Sequence, residues 1–328
     1  MGSWGSPERV IEFLTPNGGF MPGISQFADV NRWVASAPKM LDLPTPDGSG
    51  QATHPSVVHI PGGLNGFEYW MAMTPYPYSN DSEENPNILA SNDGEFWVVP
   101  DGLNNPIDRA PGYPGAYNSD TNLVFDGGHL ILTWRQVSPD LRKSFFMATS
   151  VDGVSWSPKV VVANTNLLSQ ALVRIDTGWR IYGIEPRSGE NRFVFWETSH
   201  AVPSLSGWGP RRQASLPIFG PDFEPWHVEV QRFDGEFIGL LNTTEFNRQG
   251  YGGSTHLMYS SDGIEWAVAA RPLWPRSGLG YDAHYKSGFA IKTVQQRISL
   301  DVFAAVVKSD TPRVWRIGRT EAFLGRYL

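Results

Sequence analysis

Five polar residues each open an apolar stretch: His54 before Pro55-Ser56-Val57-Val58, Asp120 before Thr121-Asn122-Leu123-Val124, Gln170 before Ala171-Leu172-Val173, His227 before Val228-Glu229-Val230, and Lys286 before Ser287-Gly288-Phe289-Ala290. The steps between them are 66, 50, 57 and 59 residues. Near them in the chain stand Glu84-Asn85, Arg135, Glu185, Trp226, Glu229 and Tyr285. Acids and rings in this company suit sugar chemistry. One carboxylic acid can protonate a glycosidic oxygen while a carboxylate activates water or attacks carbon, at separations of roughly 5–5.5 or 6.5–9.5 Å. Aromatic rings offer flat apolar faces with a polar edge. The expected acid group is Asp120, Glu84 and Glu185. The expected substrate-binding group is His54, Asn85, Arg135, Gln170, Trp226, His227, Glu229, Tyr285 and Lys286. No metal site is read from the spacing.

The elements that must hold these residues repeat. Ser-x-Asp-Gly-x-x-Trp occurs at Ser91–Trp97, Ser150–Trp156 and Ser260–Trp266. From Asp93 to Asp152 is 59 residues, and from Asp152 to Asp262 is 110, or two steps of 55. A fixed period of this size marks a propeller or a solenoid. Asp-Gly supplies the positive φ of a tight hairpin turn. The Trp that follows is expected to pack between units, far from any ligand. Between the turns lie further hairpins: Asn122–Phe125 with Leu130–Trp134, Leu172–Ile175 with Trp179–Ile184, and Val228–Phe233 with Phe237–Leu241. No stretch holds a helical period of 3.6. The chain therefore reads as all-β, a five-bladed β-propeller with four antiparallel strands per blade. The propeller is expected over 51–328. Residues 1–50 read as an N-terminal segment of loops, part of Ser25–Met40 adding a strand that closes the ring. In a propeller the first strand of each blade lines the channel, so the five openers are expected to meet at one mouth.

The bulk numbers agree. Apolar residues are 41% and charged residues 18%, enough for a large core. The net charge is −7 and no basic patch stands out, so nucleic acid is not an expected partner. Cys is absent, which excludes disulfides, thiolate nucleophiles and Cys-ligated zinc. No run reaches the roughly 18 apolar residues of a membrane helix, so no membrane insertion is expected. Met1–Phe20 lacks the basic and apolar regions of a signal peptide.

On the blade count, the Ser-x-Asp-Gly-x-x-Trp turns and openers such as Ser119-Asp120-Thr121, the chain resembles the five-bladed propeller glycoside hydrolases: arabinanases, β-xylosidases and the fructan-cleaving clan. That resemblance implies an Asp base opening blade one, an Asp opening blade two that tunes pKa, and a Glu acid in blade three. Asp120 matches the second. His54 stands where the first is expected. Gln170 opens blade three, whose nearest acid is Glu185. The resemblance also implies a channel calcium ion beside a His, here His227. The function expected is binding, and hydrolysis if the acid group is complete, of a bacterial surface or cell-wall polysaccharide. The alternative is a non-catalytic glycan-binding or structural phage tail protein, with other virion tail proteins as partners. Its place would be the virion tail, or outside the cell without a signal peptide, or the cytoplasm.

Overall fold

A computed structural model describes residues 27–187, 191–217, 222–246, 253–274, 280–294, 297–309 and 311–324. The chain folds as five antiparallel sheets arranged as the blades of one β-propeller. Blade I is β3 (Ala52–Leu64), β4 (Phe67–Pro75) and β5 (Asn87–Ser91), after the N-terminal β1 (Trp33–Ala35) and β2 (Lys39–Met40). Blade II is β6 (Tyr117–Asp126), β7 (His129–Val137), β8 (Lys143–Ser150) and β9 (Val160–Asn164). Blade III is β10 (Leu168–Ile175), β11 (Gly178–Glu185), β12 (Arg192–Thr198) and β13 (Arg212–Gln213). Blade IV is β14 (Phe223–Phe233), β15 (Glu236–Glu245), β16 (Thr255–Ser260) and β17 (Ala267–Val268). Blade V is β18 (Ala283–Val294), β19 (Arg297–Lys308) and β20 (Val314–Leu324). The helical elements described are single turns of 3-10 helix, and none is long and apolar enough to cross a membrane.

The outer strand of blade V comes from the other end of the chain. Both β1 and β2 pair with β20, with Trp33 opposite Leu324 and Lys39 opposite Arg319. A buried carboxylate reinforces this closure. Asp301 of blade V accepts from Tyr69 Oη of blade I at 2.8 Å and from Arg319 Nη2 at 2.7 Å. Lys292 Nζ lies 2.9 Å from the same carboxylate. Blade I replaces its fourth strand differently. One bridge joins Ala90 to Val98, and the Asn105 amide pairs with both backbone groups of Ile88 at 2.9 Å. A side-chain amide here does the work of a strand edge.

The middle strands are buried at nearly every consecutive position, so each sheet buries both faces. The result is one hydrophobic cluster at each junction between blades. Trp70 and Ala72 of blade I meet Leu123, Leu132 and Trp134 of blade II. Tyr182 of blade III meets Val228, Phe237 and Trp266 of blade IV. The repeated turns belong to these junctions. In each, the Asp carboxylate accepts from the two backbone N–H groups that follow the Gly, and the Trp indole donates back to the Gly carbonyl at 3.1–3.2 Å. Those N–H bonds hold the Asp152 carboxyl at about 2, below its ordinary value. Trp97 and Trp266 are buried and Trp156 is half-buried.

The Gly of each turn also serves the junction. A Cβ on Gly153, at φ +75°, would stand 2.1 Å from the Trp70 ring of blade I, whereas Gly48, at φ +72°, faces open space. Gly48→Ala should therefore cost only the left-handed strain, about 1–2 kcal/mol. Gly153→Ala should add the displacement of Trp70, about 1–3 kcal/mol more. Denaturant melts of the two variants make the comparison; equal losses would show that the turn does not dock on the neighbouring blade.

Candidate functional site

The inner strand of every blade carries an irregularity near its start. In blades I, II, III and V two residues face one across the ladder: His54-Pro55, Asp120-Thr121, Ser169-Gln170 and Tyr285-Lys286. In blade IV the register shifts at Trp226. Such bulges re-aim side chains. His54, Asp120 and Ser169 adopt positive φ, near +50°, which is rare for residues with a Cβ and clusters at functional sites. The bulges turn the openers toward the channel axis. They also correct the register: His54 and Asp120 take the first bulge position, while Gln170 and Lys286 take the second.

The five openers are linked by contact. His54 Nε2 lies 3.4 Å from Asp120 Oδ1, and His227 Nδ1 lies 3.3 Å from the same oxygen. Gln170 Nε2 donates to the Asp120 backbone carbonyl. Lys286 Nζ donates to the Thr121 carbonyl at 2.7 Å. Asp120 has no exposed surface, and its Oδ2 lies 2.8 Å from Arg135 Nε. Burial raises the Asp120 carboxyl, but Arg135, His54 and His227 together outweigh it and hold it well below the ordinary range. Thr74 Oγ1, at 2.9 Å from His54 Nδ1, orients that ring so that Nε2 faces Asp120.

Glu84 stands on the other side of His54, its Oε1 3.3 Å from Nδ1. Burial, with the charges of Asp81 and Asp120, pushes its carboxyl well above the usual value. Asn85 braces the loop beneath it. Its Oδ1 accepts from Ala110 N at 2.8 Å and Asn118 Nδ2 at 3.1 Å. Tyr285 packs against both histidines, with ring centroids 4.5 Å from His227 and 5.3 Å from His54. Trp226, Tyr285 and Tyr117 are half-buried around this floor.

Deeper in the channel, Glu229 joins four blades. It accepts from Ser56 Oγ at 2.5 Å and Asn122 Nδ2 at 3.1 Å, and Lys286 Nζ lies 3.9 Å away. Burial pushes Glu229 up to about 7. Having no exposed surface and lying against its own partners, it forms a plug in the channel and offers no face to a substrate.

Glu185 is not brought to the cluster as a free acid. Its carboxylate is shared by Arg187 at 2.6 Å and Arg211 at 2.7 Å, and those bonds hold its pKa down against burial. A carboxylate so paired is poorly suited to donate a proton. The three-acid group expected from sequence is therefore two acids, Asp120 and Glu84, on either side of one imidazole. Thr74, Tyr117 and Lys143 also belong to the mouth and were not singled out; each sits at an ordinary strand position with no motif around it.

His54, Asp120 and His227 each offer one atom, and these atoms lie within 4.8 Å of one another. His54 Nε2, His227 Nδ1 and both Asp120 oxygens lack a well-formed hydrogen bond. Burial holds His54 well below 6.5 and lowers His227 too, so both rings are kept neutral with lone pairs available.

No family model matches the chain. It is 25% identical over 351 aligned positions to the A type blood N-acetyl-α-D-galactosamine deacetylase of Flavonifractor plautii, across 83% of this chain and 44% of that protein. The chain thus spans less than half the length of that relative. The crystal structure of an N-acetylgalactosamine deacetylase from F. plautii, in complex with blood group B trisaccharide, superposes with a TM-score of 0.78 at 22% identity, over 88% of this chain and 95% of that one. A thermostable family-43 glycoside hydrolase gives 0.60 at 11% identity, over 87% and 92%. A xylan β-1,4-xylosidase from Bacillus halodurans gives 0.58 at 19%, over 82% and 52%. The fold is that of the five-bladed carbohydrate-active propellers. None of these relatives is named as a virion component, and the tail-protein expectation draws no support from them.

The buried imidazoles have a consequence for stability. Their folded pKa values lie below 6.5, so the unfolded chain binds more protons just below that pH. The stability that these imidazoles contribute is therefore fully present above about 6.5 and declines as pH falls beneath it. Glu84 and Glu229, whose folded pKa values are raised, act in the opposite sense over the same range, so the imidazole part is read as a difference: in melting curves between pH 8 and 5, metal-free wild type should lose more stability than His54→Gln. A slope unchanged by His54→Gln would mean that His54 is not held neutral.

Proposed function

We propose that the chain removes the acetyl group from an N-acetylated amino sugar of a glycan, with a divalent transition-metal ion held by His54, Asp120 and His227. One observation carries this reading: buried ligand atoms from three blades converge without hydrogen-bond partners. Buried polar atoms are nearly always paired, so orphans facing one point fit the binding of a cation. Calcium and magnesium take oxygen ligands, whereas imidazole suits zinc, iron and their neighbours, so the donor set favours the latter over the calcium expected from resemblance. Three protein ligands leave a position open, the pattern of catalytic rather than structural sites. The relative named as a deacetylase supports the reaction class.

The ion would polarise the amide carbonyl and acidify bound water. The chain's own residues do the rest. Thr74 fixes the His54 ring. Arg135 keeps Asp120 ionised as a ligand. Glu84, buried beside the ligands, takes a proton from the attacking water. The water oxygen bonds to the carbonyl carbon, the C–N bond breaks, and the proton passes from Glu84 to the departing amine, leaving acetate and a free amino sugar. Tyr285 keeps its hydroxyl proton, because burial raises its pKa well above the ordinary value, and can donate to the developing oxyanion. Trp226 and Tyr285 offer ring faces to the sugar. Glycosidic cleavage is disfavoured because Glu185 is tied by two arginines.

The test is acetate release from A-type trisaccharide and from oligosaccharides of N-acetylhexosamine. Acetate and one equivalent of zinc, manganese or iron per chain are expected, with loss of activity on chelation. Glu84→Gln should lower kcat by roughly 10²–10⁴, and Asp120→Asn should abolish metal binding. Release of free sugar without acetate would replace this reading with a glycosidase.

A further inference from the structure

The mouth carries a cation that neither the fold nor the reaction uses. Lys143 opens β8 opposite Val137, which pairs in turn with Tyr117 at the start of β6. Residues in register across a sheet project from the same face, as do residues two apart on one strand. Lys143 and Tyr117 therefore share the face from which Arg135 reaches Asp120. Lys143 is half-buried, yet its ammonium has no ion pair or hydrogen bond among the described residues. Burial and Arg135 lower its pKa while Asp120 raises it, so the ammonium feels both charges of that ion pair. The Tyr117 and Tyr285 hydroxyls have no acceptor among the described residues, and the buried Trp226 indole N–H has none either. Arg135 is already balanced by Asp120 at 2.8 Å, so Lys143 is a surplus positive charge. A half-buried ammonium without a partner is costly and asks for an anion.

We infer that Lys143, with Tyr117 beside it, binds an anionic substituent, a carboxylate or phosphate, on the glycan whose N-acetyl sugar occupies the channel mouth. This rests on the deacetylase reading for the identity of that sugar, but not for the anion. The substrate class is then an acidic glycan, in which an N-acetylhexosamine adjoins a uronate or bears a phosphate. Lys143 is a specificity residue and takes no part in bond breaking.

The experiment measures binding by calorimetry to chelated, metal-free protein, so that it does not depend on turnover. The probes are a tetrasaccharide of alternating N-acetylhexosamine and glucuronate, the same tetrasaccharide with its carboxyls reduced to alcohols, and N-acetylhexosamine 6-phosphate. The acidic tetrasaccharide should bind about tenfold more tightly than the reduced one, the effect of one charge-assisted hydrogen bond. Lys143→Met should remove that difference and leave the reduced form unchanged; Lys143→Arg should keep it. Tighter binding of the phosphate probe, also lost in Lys143→Met, would assign the anion as phosphate. Equal binding of all three probes, no binding, or a Lys143→Met loss shared by acidic and reduced forms would overturn the proposal. Intact anion-dependent binding without acetate release from any substrate would instead overturn the deacetylase reading alone.

Discussion

The contact between Asp120 and Arg135 is the constraint on which the channel mouth depends. A carboxylate with no exposed surface survives as an anion only if its charge is met nearby, and Arg135 meets it at 2.8 Å from the adjacent strand of the same blade. With Asp120 fixed, everything else takes its place from it. Two imidazoles from blades I and IV approach the oxygen that Arg135 leaves free. Gln170 of blade III and Lys286 of blade V hold the backbone on either side, at the carbonyls of Asp120 and Thr121. All five blades thus converge on Asp120 and Thr121, and the left-handed backbone at Asp120 is sustained by that convergence.

The scaffold permits more than one chemistry. Family-43 hydrolases and a deacetylase share it with this chain at low identity, which fits the rule that function resides in sites grafted on folds. An acid opening blade one would place a second carboxylate beside Asp120. His54 places a nitrogen held neutral there instead, which suits the cluster to the proposed metal ion rather than to proton transfer between two acids.

Much of this was legible in the chain. The Ser-x-Asp-Gly-x-x-Trp period marked a propeller because the turn needs those residue types for its own hydrogen bonds, whatever surrounds it, and the five openers set the blade count. The openers were legible because polar residues leading apolar strands must face a channel. Other features were hidden by distance. That Glu185 is neutralised depends on Arg211, 26 residues away and just before β13. That His54 faces Asp120 depends on Thr74, which looks like any strand threonine. The bulges left no mark, because the residues at positive φ are His, Asp and Ser rather than Gly. The missing fourth strand of blade I was equally hidden, since Asn105 replaces it with a side chain.

The ring closes through hydrogen bonds between strands 291 residues apart, Trp33 against Leu324. A loop of that length closes slowly, because contacts so distant in sequence reward the chain only after most of its freedom is lost. Blades II, III and IV are each built from one continuous piece and can form in order of synthesis. Blade V cannot be completed until the two ends meet. The mouth draws His54 from blade I and Tyr285 from blade V, the two blades that this seam joins. The seam is therefore also a checkpoint: a chain that has folded its blades but not clasped its ends has His54, Asp120 and His227 in its sequence, yet lacks the enclosed, water-poor floor on which they meet.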